Sequence, residues 1–333
     1  MEYRVLGRTG LRVSQVGFGC GDVGGLIVRG EPALRTRAVA LAQSLGINYF
    51  DTAPLYGQGV SETNLGLALK ETKADVFVGT KVGLTPEDKK DIKNRVIRSM
   101  ERSLKRLGMD SVDLIQLHNR LTSNPGSEPN RPDLDTKEVL EQVVAGFQEL
   151  RAQGKVRYFG ITGLGETETL RTIIDSAAMD SVQVCYNLLN PSAGIADTPK
   201  FYTQDYGQLI DRAASNGAGV IAIRVMAAGA LTGVSDRHPL AMPTVAPIGS
   251  SMEYEEDVRR ARSFQYLVEE GIVDSLPEAA VRFVLSKGEV STALAGVSSL
   301  EQLEQSVAWA EKGPLPKAAI DGLDHIWRQF PVD

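Results

Sequence analysis

Four side chains of complementary chemistry fall at or just beyond the ends of short apolar runs. Asp51 and Tyr56 lie in DTAPLYG, Lys81 closes VFVGTK, and His118 closes DLIQLH. A phenol, an ammonium, a carboxylate and an imidazole gathered in one pocket make a tunable proton donor beside a site for a carbonyl oxygen. Reduction of an aldehyde or ketone needs both. A lysine at the end of an apolar run is costly to bury without a partner, and Asp51 can supply one. The ammonium would then stabilise a Tyr56 phenolate and lower a pKa that is about 10 in water, bringing the donor nearer its working pH. A neutral His118 would donate a hydrogen bond to the substrate oxygen and orient it. Taken singly, each residue has a plainer fate: packing for Tyr56, a capped turn for Asp51, an exposed strand end for Lys81, a core histidine for His118. Their joint placement argues for chemistry. The other two histidines, His238 and His325, have no such constellation around them.

Positioning these residues requires strands whose ends converge. The chain opens with a hairpin pattern, YRVL and LRVSQVGF about the turn GRTG. Strand-like runs follow near 16–19, 49–51, 76–80, 114–117, 158–161, 182–185, 220–223 and 292–295. Helical patterns alternate with them at 32–45, 61–70, 86–107, 136–153, 166–178, 205–216, 277–286 and 300–310. Pro32 suits a first helical turn and Ser61 an N-cap. This alternation predicts parallel pairing with right-handed crossovers. An open doubly wound sheet would also satisfy it, but eight strands with chemical residues at successive C-terminal ends favour a closed (β/α)8 TIM barrel with an N-terminal β-hairpin. The 333 residues fit one such domain, 1–333. Two long Pro/Gly-rich connections, 119–135 and 227–251, are expected to overhang the barrel mouth.

Composition narrows the function classes. The chain is 42% hydrophobic with a net charge of −6. No basic stripe is present, so nucleic acid is not an expected partner. The longest apolar stretch, around GAGVIAIRVMAAGAL, is broken by Arg224 and several glycines, so no membrane span is expected. The first residues lack the apolar core of a signal peptide. Cys20 and Cys185 have no metal-ligand spacing, no metal site is expected, and a disulfide is not expected in what reads as a cytoplasmic enzyme.

The order DTAPLYG, VGTK, DLIQLH, YFGIT, VQVCYN resembles the aldo-keto reductases, from LGRTGLRVSQVGFG near the start to GVSSLEQLEQ near the end. The resemblance implies a (β/α)8 barrel whose bottom is closed by the hairpin, and hydride transfer between NADP or NAD and a small-molecule carbonyl or alcohol. It implies Tyr56 as general acid, Lys81 as its pKa partner, Asp51 as the carboxylate paired with Lys81, and His118 as the orienting group. Gln183 matches the family's carboxamide-binding glutamine. Thr162 stands where a serine followed by asparagine is usual, and here Gly163 follows. Ile223 occupies a position that is often an aromatic ring stacked on nicotinamide; Arg224 beside it would meet cofactor phosphate or a polyol, or form an internal salt bridge. The segment from Gly296 to Ser306 resembles the adenosine-phosphate site, with Gly296, Ser298, Ser299 and Gln302 as candidates. A strand end, a glycine and a helix N-terminus leave free N–H groups for an anion, while an ordinary capped helix has the same pattern. Ser299 stands where NADP-preferring relatives commonly carry Arg or Lys, and Gln305 and Ser306 replace a glutamate and an asparagine of the common pattern, which makes NAD use credible. The glycine-dense GFGCGDVGGL places Gly19, Cys20 and Asp22 near the same pocket. No Gly-x-Gly-x-x-Gly links a strand to a helix, so a Rossmann site is not supported.

Three other readings stay open in the sequence. The first, within the same family, is an NAD-linked sugar (aldose) dehydrogenase. The second is a Schiff-base aldolase acting through Lys81, against which the pairing with Asp51 argues. The third is a non-catalytic cofactor-binding regulatory subunit, since some family members regulate membrane channels. The long loops are polar and poor in aromatics, which favours a polar substrate. A homo-oligomer is compatible with the sequence, but no pattern specifies one.

Overall fold

The computed structural model describes residues 1–126 and 132–331. Two short strands, β1 (Tyr3–Val5) and β2 (Arg12–Ser14), form the antiparallel hairpin. Eight further strands are parallel and close on themselves: β3 (Val16–Gly19), β4 (Tyr49–Asp51), β5 (Phe77–Val82), β6 (Val112–Leu117), β7 (Val156–Thr162), β8 (Ser181–Cys185), β9 (Gly219–Ile223) and β10 (Val290–Gly296). β10 pairs with both β9 and β3, which completes the barrel. The hairpin supplies Leu6, Leu11 and Val13 to an inner cluster with Tyr49, Leu114 and Ile221, and so plugs one end of the barrel.

Strand register brings the chemical residues to the other end. Gly19 lies beside Asp51, Asp51 beside Gly79, Thr162 beside Gln183, Cys185 beside Ile223, and Gly296 beside Gly19. Side chains alternate along a strand. Tyr49 and Asp51 therefore face inward, while Phe50 between them packs into the outer helix layer. Likewise Lys81 faces inward, and its neighbour Thr80 reaches out to Glu62 on the helix Val60–Thr72.

Several helices differ from the pattern expected. The segment 86–107 is a short 3₁₀ turn, Pro86–Lys90, followed by an α-helix, Ile92–Leu107. Thr85 and Asp88 form a capping box for the first piece, and Asp91, with φ −156° and ψ 55°, breaks the helical backbone before the second. The segment 136–153 begins as a π-helix, Glu138–Val143, before Val144–Ala152 becomes α-helical. Ser61 does not cap its helix; its hydroxyl donates to the Cys20 carbonyl and meets Thr52 Oγ1 at 2.8 Å. Among the described residues four α-helical segments lie outside the predicted ones: Leu26–Arg29, Tyr254–Arg262, Tyr266–Glu269 and Lys317–Trp327.

Of the two long loops, 119–135 follows β6, and its residues 127–131 lie outside the described residues. The loop 227–251 follows β9. It opens with a 3₁₀ turn, Ala227–Thr232, then crosses to the loop after β3. There Met242 N donates to the Val23 carbonyl at 3.1 Å, and Arg29 Nε to the Leu240 carbonyl at 2.7 Å.

Candidate active site

Asp51, Lys81 and Tyr56 form one bonded chain at the mouth of the barrel. Lys81 Nζ donates to Asp51 Oδ1, to the Thr52 carbonyl at 2.9 Å and to Tyr56 Oη at 3.2 Å. The Lys81 and Asp51 side chains are 0% and 3% exposed, so this charge pair is dry. Asp51 Oδ2 accepts from Gln183 Nε2 at 2.7 Å and from the Tyr49 hydroxyl at 3.5 Å. A carboxylate with an ammonium on one oxygen and N–H and O–H donors on the other is held in its ionised form by charge-assisted bonds.

Burial pushes the Asp51 carboxyl up from its ordinary value, against Lys81, Gln183 and Tyr49, which hold it down. Burial also works against the Lys81 charge, but Asp51 and Tyr56 outweigh it and the ammonium is held more firmly than in water. Tyr56 departs from the sequence expectation. Burial pushes its phenol above 10.0, and Lys81 only partly pulls it back. The cation sits where it was expected, yet loss of water is the larger effect.

The Tyr56 turn is built for position. Gly57 and Gln58 both adopt left-handed backbone, with φ of 57° and 54°. Asp22 pins the turn by accepting from Gly57 N at 3.0 Å, and its carboxylate faces Arg29. The His118 ring meets the Tyr56 ring edge-on, with centroids 5.9 Å apart. Tyr49 is a site residue that the sequence reading missed. It fits below Asp51 because Gly79 has no side chain: a Cβ there would lie 2.4 Å from the Tyr49 hydroxyl. The usable signal was a tyrosine two residues before Asp51 and a glycine two residues before Lys81, on the same inward face.

These groups open onto a cavity of about 600 Å³. Of the candidates, Asp51, Tyr56, His118, Gly19, Thr162, Gln183, Ile223, Arg224, Gly296, Ser298 and Gln302 line it, as does Asp22. Lys81 lies behind Tyr56 and does not. Cys20 is buried in the core, its thiol near the Phe18 carbonyl and pushed well above the usual range by burial. Ser299 does not line the cavity; it caps the helix Leu300–Glu311 by accepting from Gln302 N at 3.3 Å. Thr162 spends its hydroxyl on the Leu117 carbonyl at 3.0 Å. Ser298 N donates to Gln302 Oε1 at 2.7 Å and Ser298 Oγ to the Gly24 carbonyl at 2.6 Å. Arg224 has a φ of 58°, and Asn187 Nδ2 holds its carbonyl at 2.9 Å. Its guanidinium donates to the Ala246 carbonyl at 3.0 Å and pairs with no carboxylate among the described residues, so the internal salt bridge is not formed. Asp236, Arg237, His238 and Met242, from the overhanging loop, also line the cavity.

A sequence model described as the Aldo/keto reductase family matches residues 15–328. The chain belongs to the aldo/keto reductase family. Among similar members, L-galactose dehydrogenase of Arabidopsis thaliana is 31% identical over 316 residues, spanning 92% of this chain and 88% of that protein. D-threo-aldose 1-dehydrogenase of a Pseudomonas species is 27% identical over 333 residues, 90% of each chain. A putative voltage-gated potassium channel subunit beta of Schizosaccharomyces pombe is 28% identical over 361 residues, spanning 100% of this chain and 95% of that one. Among solved structures, the holo form of aldo-keto reductase AKR11C1 from Bacillus halodurans aligns with a TM-score of 0.68 at 26% identity, covering 100% of this chain and 97% of that one. The barrel and its hairpin are thus an aldo/keto reductase fold. Among the described residues no helix is long and apolar enough to cross a membrane.

Proposed function

We propose that this aldo/keto reductase transfers hydride between a nicotinamide dinucleotide and a carbonyl or alcohol carbon, with Tyr56 moving the proton. The observation that carries the reading is the buried Lys81 ammonium, paired with Asp51 and 3.2 Å from a Tyr56 hydroxyl that faces the cavity. The residues present fit a dinucleotide. Gln183 borders the cavity with no donor on its Oε1 among the described residues, Gly19 and Gly296 flank the strand ends, and Ile223 offers an aliphatic face for the ring. When bound, the dinucleotide supplies or accepts the hydride.

Tyr56 gives its proton to the substrate oxygen in reduction and takes it back in oxidation. Lys81 moderates the charge that develops on the phenolate. His118 orients the oxygen, and Leu55, Leu164 and Met226 add apolar lining to the cavity. Lys81 is fully buried and holds three acceptors, which disfavours Schiff-base chemistry. A sugar or related polyol as substrate is supported by the names of two relatives and by the polar rim of Asp236, Arg237 and His238. The lack of Lys or Arg at Ser299 supports NAD over NADP. The intact quartet supports catalysis over a purely regulatory role, which the name of the potassium-channel relative keeps in view. Two buried free thiols fit a cytoplasmic setting.

Tyr56→Phe is the direct test. Turnover on a panel of aldoses and aldehydes, with NAD(H) and NADP(H), falls by about 10²- to 10⁴-fold, while dinucleotide affinity is unchanged. Undiminished turnover in that variant removes the assignment.

A further inference from the structure

Gln183 stands between the acid–base pair and the cavity. Its Nε2 donates to Asp51 Oδ2 at 2.7 Å, the side chain lines the cavity, and no donor among the described residues meets its Oε1. An ionised carboxylate only accepts hydrogen bonds. The amide therefore has one favourable direction, nitrogen toward Asp51 and oxygen toward the cavity. On the neighbouring β7 strand the Thr162 hydroxyl spends its proton on the Leu117 carbonyl and so presents no donor to the cavity, and Gly163 has no side chain.

We propose that the charge on Asp51 sets the polarity of Gln183, so that the protein presents an acceptor, and not a donor, to the head group of the dinucleotide. Asp51 thereby acts as a positioning residue for cofactor recognition in addition to pairing with Lys81. This rests on the dinucleotide reading given above. It ties two events that a static contact would leave separate: proton uptake by Asp51 lets the amide turn, and a head group with an N–H donor favours the ionised carboxylate. The coupling is reciprocal by linkage.

Lys81 makes the idea testable through Asp51→Asn. Lys81 donates to Oδ1, so the substituted side chain must keep its carbonyl oxygen there and turn its NH2 toward Gln183. Gln183 then has to offer its oxygen to that NH2 and its nitrogen to the cavity. The probes are the preferred dinucleotide and its 3-acetylpyridine analogue, which replaces the carboxamide NH2 by a methyl group. Binding is read by calorimetry, without turnover.

In the wild type the natural dinucleotide binds about five- to tenfold more tightly than the analogue, the worth of one neutral hydrogen bond. In Asp51→Asn the ratio falls to about one, because both head groups carry a carbonyl for the amide nitrogen. Gln183→Leu gives the same ratio by removing the amide. A wild-type ratio of one, or a folded Asp51→Asn that keeps the wild-type ratio, overturns the proposal. Failure of both NAD(H) and NADP(H) to bind the wild type sinks the function reading instead.

Should Asp51→Asn fail to fold, the ratio is followed in the wild type from neutral into acid. The groups facing Asp51 are the Lys81 ammonium, the Tyr49 and Tyr56 phenols and the Cys20 thiol, all protonated throughout that range. The ratio falls toward one as Asp51 takes up its proton, and a flat ratio overturns the proposal.

Discussion

Replacing Lys81 by Met leaves the shape of the buried pair nearly intact and removes its positive charge. The ammonium lies 3.2 Å from Tyr56 Oη. At an effective dielectric of about 20, its attraction for a phenolate is about 5 kcal/mol at that distance, or between about three and four pH units. That is the ceiling on what Lys81 does for Tyr56, and general acid–base catalysis lies within about 10²- to 10⁴-fold. Turnover in Lys81→Met is expected to fall about 10²- to 10³-fold in both directions, because the overall equilibrium is untouched. Asp51 loses its counter-ion in a dry site, which costs about 3–5 kcal/mol until the carboxyl takes up a proton. In the variant the folded-state pKa of Asp51 lies above the unfolded value. Its stabilisation is therefore complete below the unfolded pKa and lost as pH rises through the folded one. Urea melts at several pH values should show the variant at its best in acid, with steady-state rates and dinucleotide affinity measured on the same samples. Turnover within threefold of wild type, in a variant that binds dinucleotide normally, would refute the role given to Lys81.

Two further outcomes follow from the site. Burial holds the Tyr56 phenol above 10.0, so alcohol oxidation, which needs the phenolate, climbs with pH through neutrality and is still climbing at pH 10, while reduction stays flat over that range; a plateau in oxidation well below pH 10 would contradict the upward shift. Gly79→Ala places a Cβ 2.4 Å from the Tyr49 hydroxyl and 3.1 Å from the ring carbon that bears it, and overpacking of this kind costs about 1–3 kcal/mol in a urea melt. Adding Tyr49→Phe recovers part of the loss, and a Gly79→Ala protein as stable as wild type would show that Tyr49 has room to move.

Much of the site was legible because strand ends carry it. Asp51, Lys81 and His118 each close an apolar run, and in a parallel barrel those ends must meet. The tie between Asp51 and Gln183 was not legible, because it depends on the inward face of two strands far apart in sequence. The sign of the Tyr56 shift was misread since sequence shows a charge partner but not the loss of water. Ser299 and Cys20 matched a pattern of position, whereas cap geometry and core packing took their side chains elsewhere. The helix Tyr254–Arg262 escaped notice because its apolar face, Tyr254, Val258 and Ala261, is outnumbered by charged residues. Its acidic first turn and basic last turn were the better signal.

The unbroken circuit of strands bears on handling the protein at high concentration. Since β10 closes on β3, the barrel leaves no row of unpaired backbone groups to which a second molecule could add. Among the described residues the short hairpin is the exception, and it is tied to the barrel: Ser291 Oγ donates to the Val5 carbonyl at 3.0 Å, and the Arg4 guanidinium donates to the Leu285 and Val290 carbonyls at 3.1 and 2.9 Å. Clumping by strand addition would have to begin with opening of the cylinder, so that route should set in only on melting.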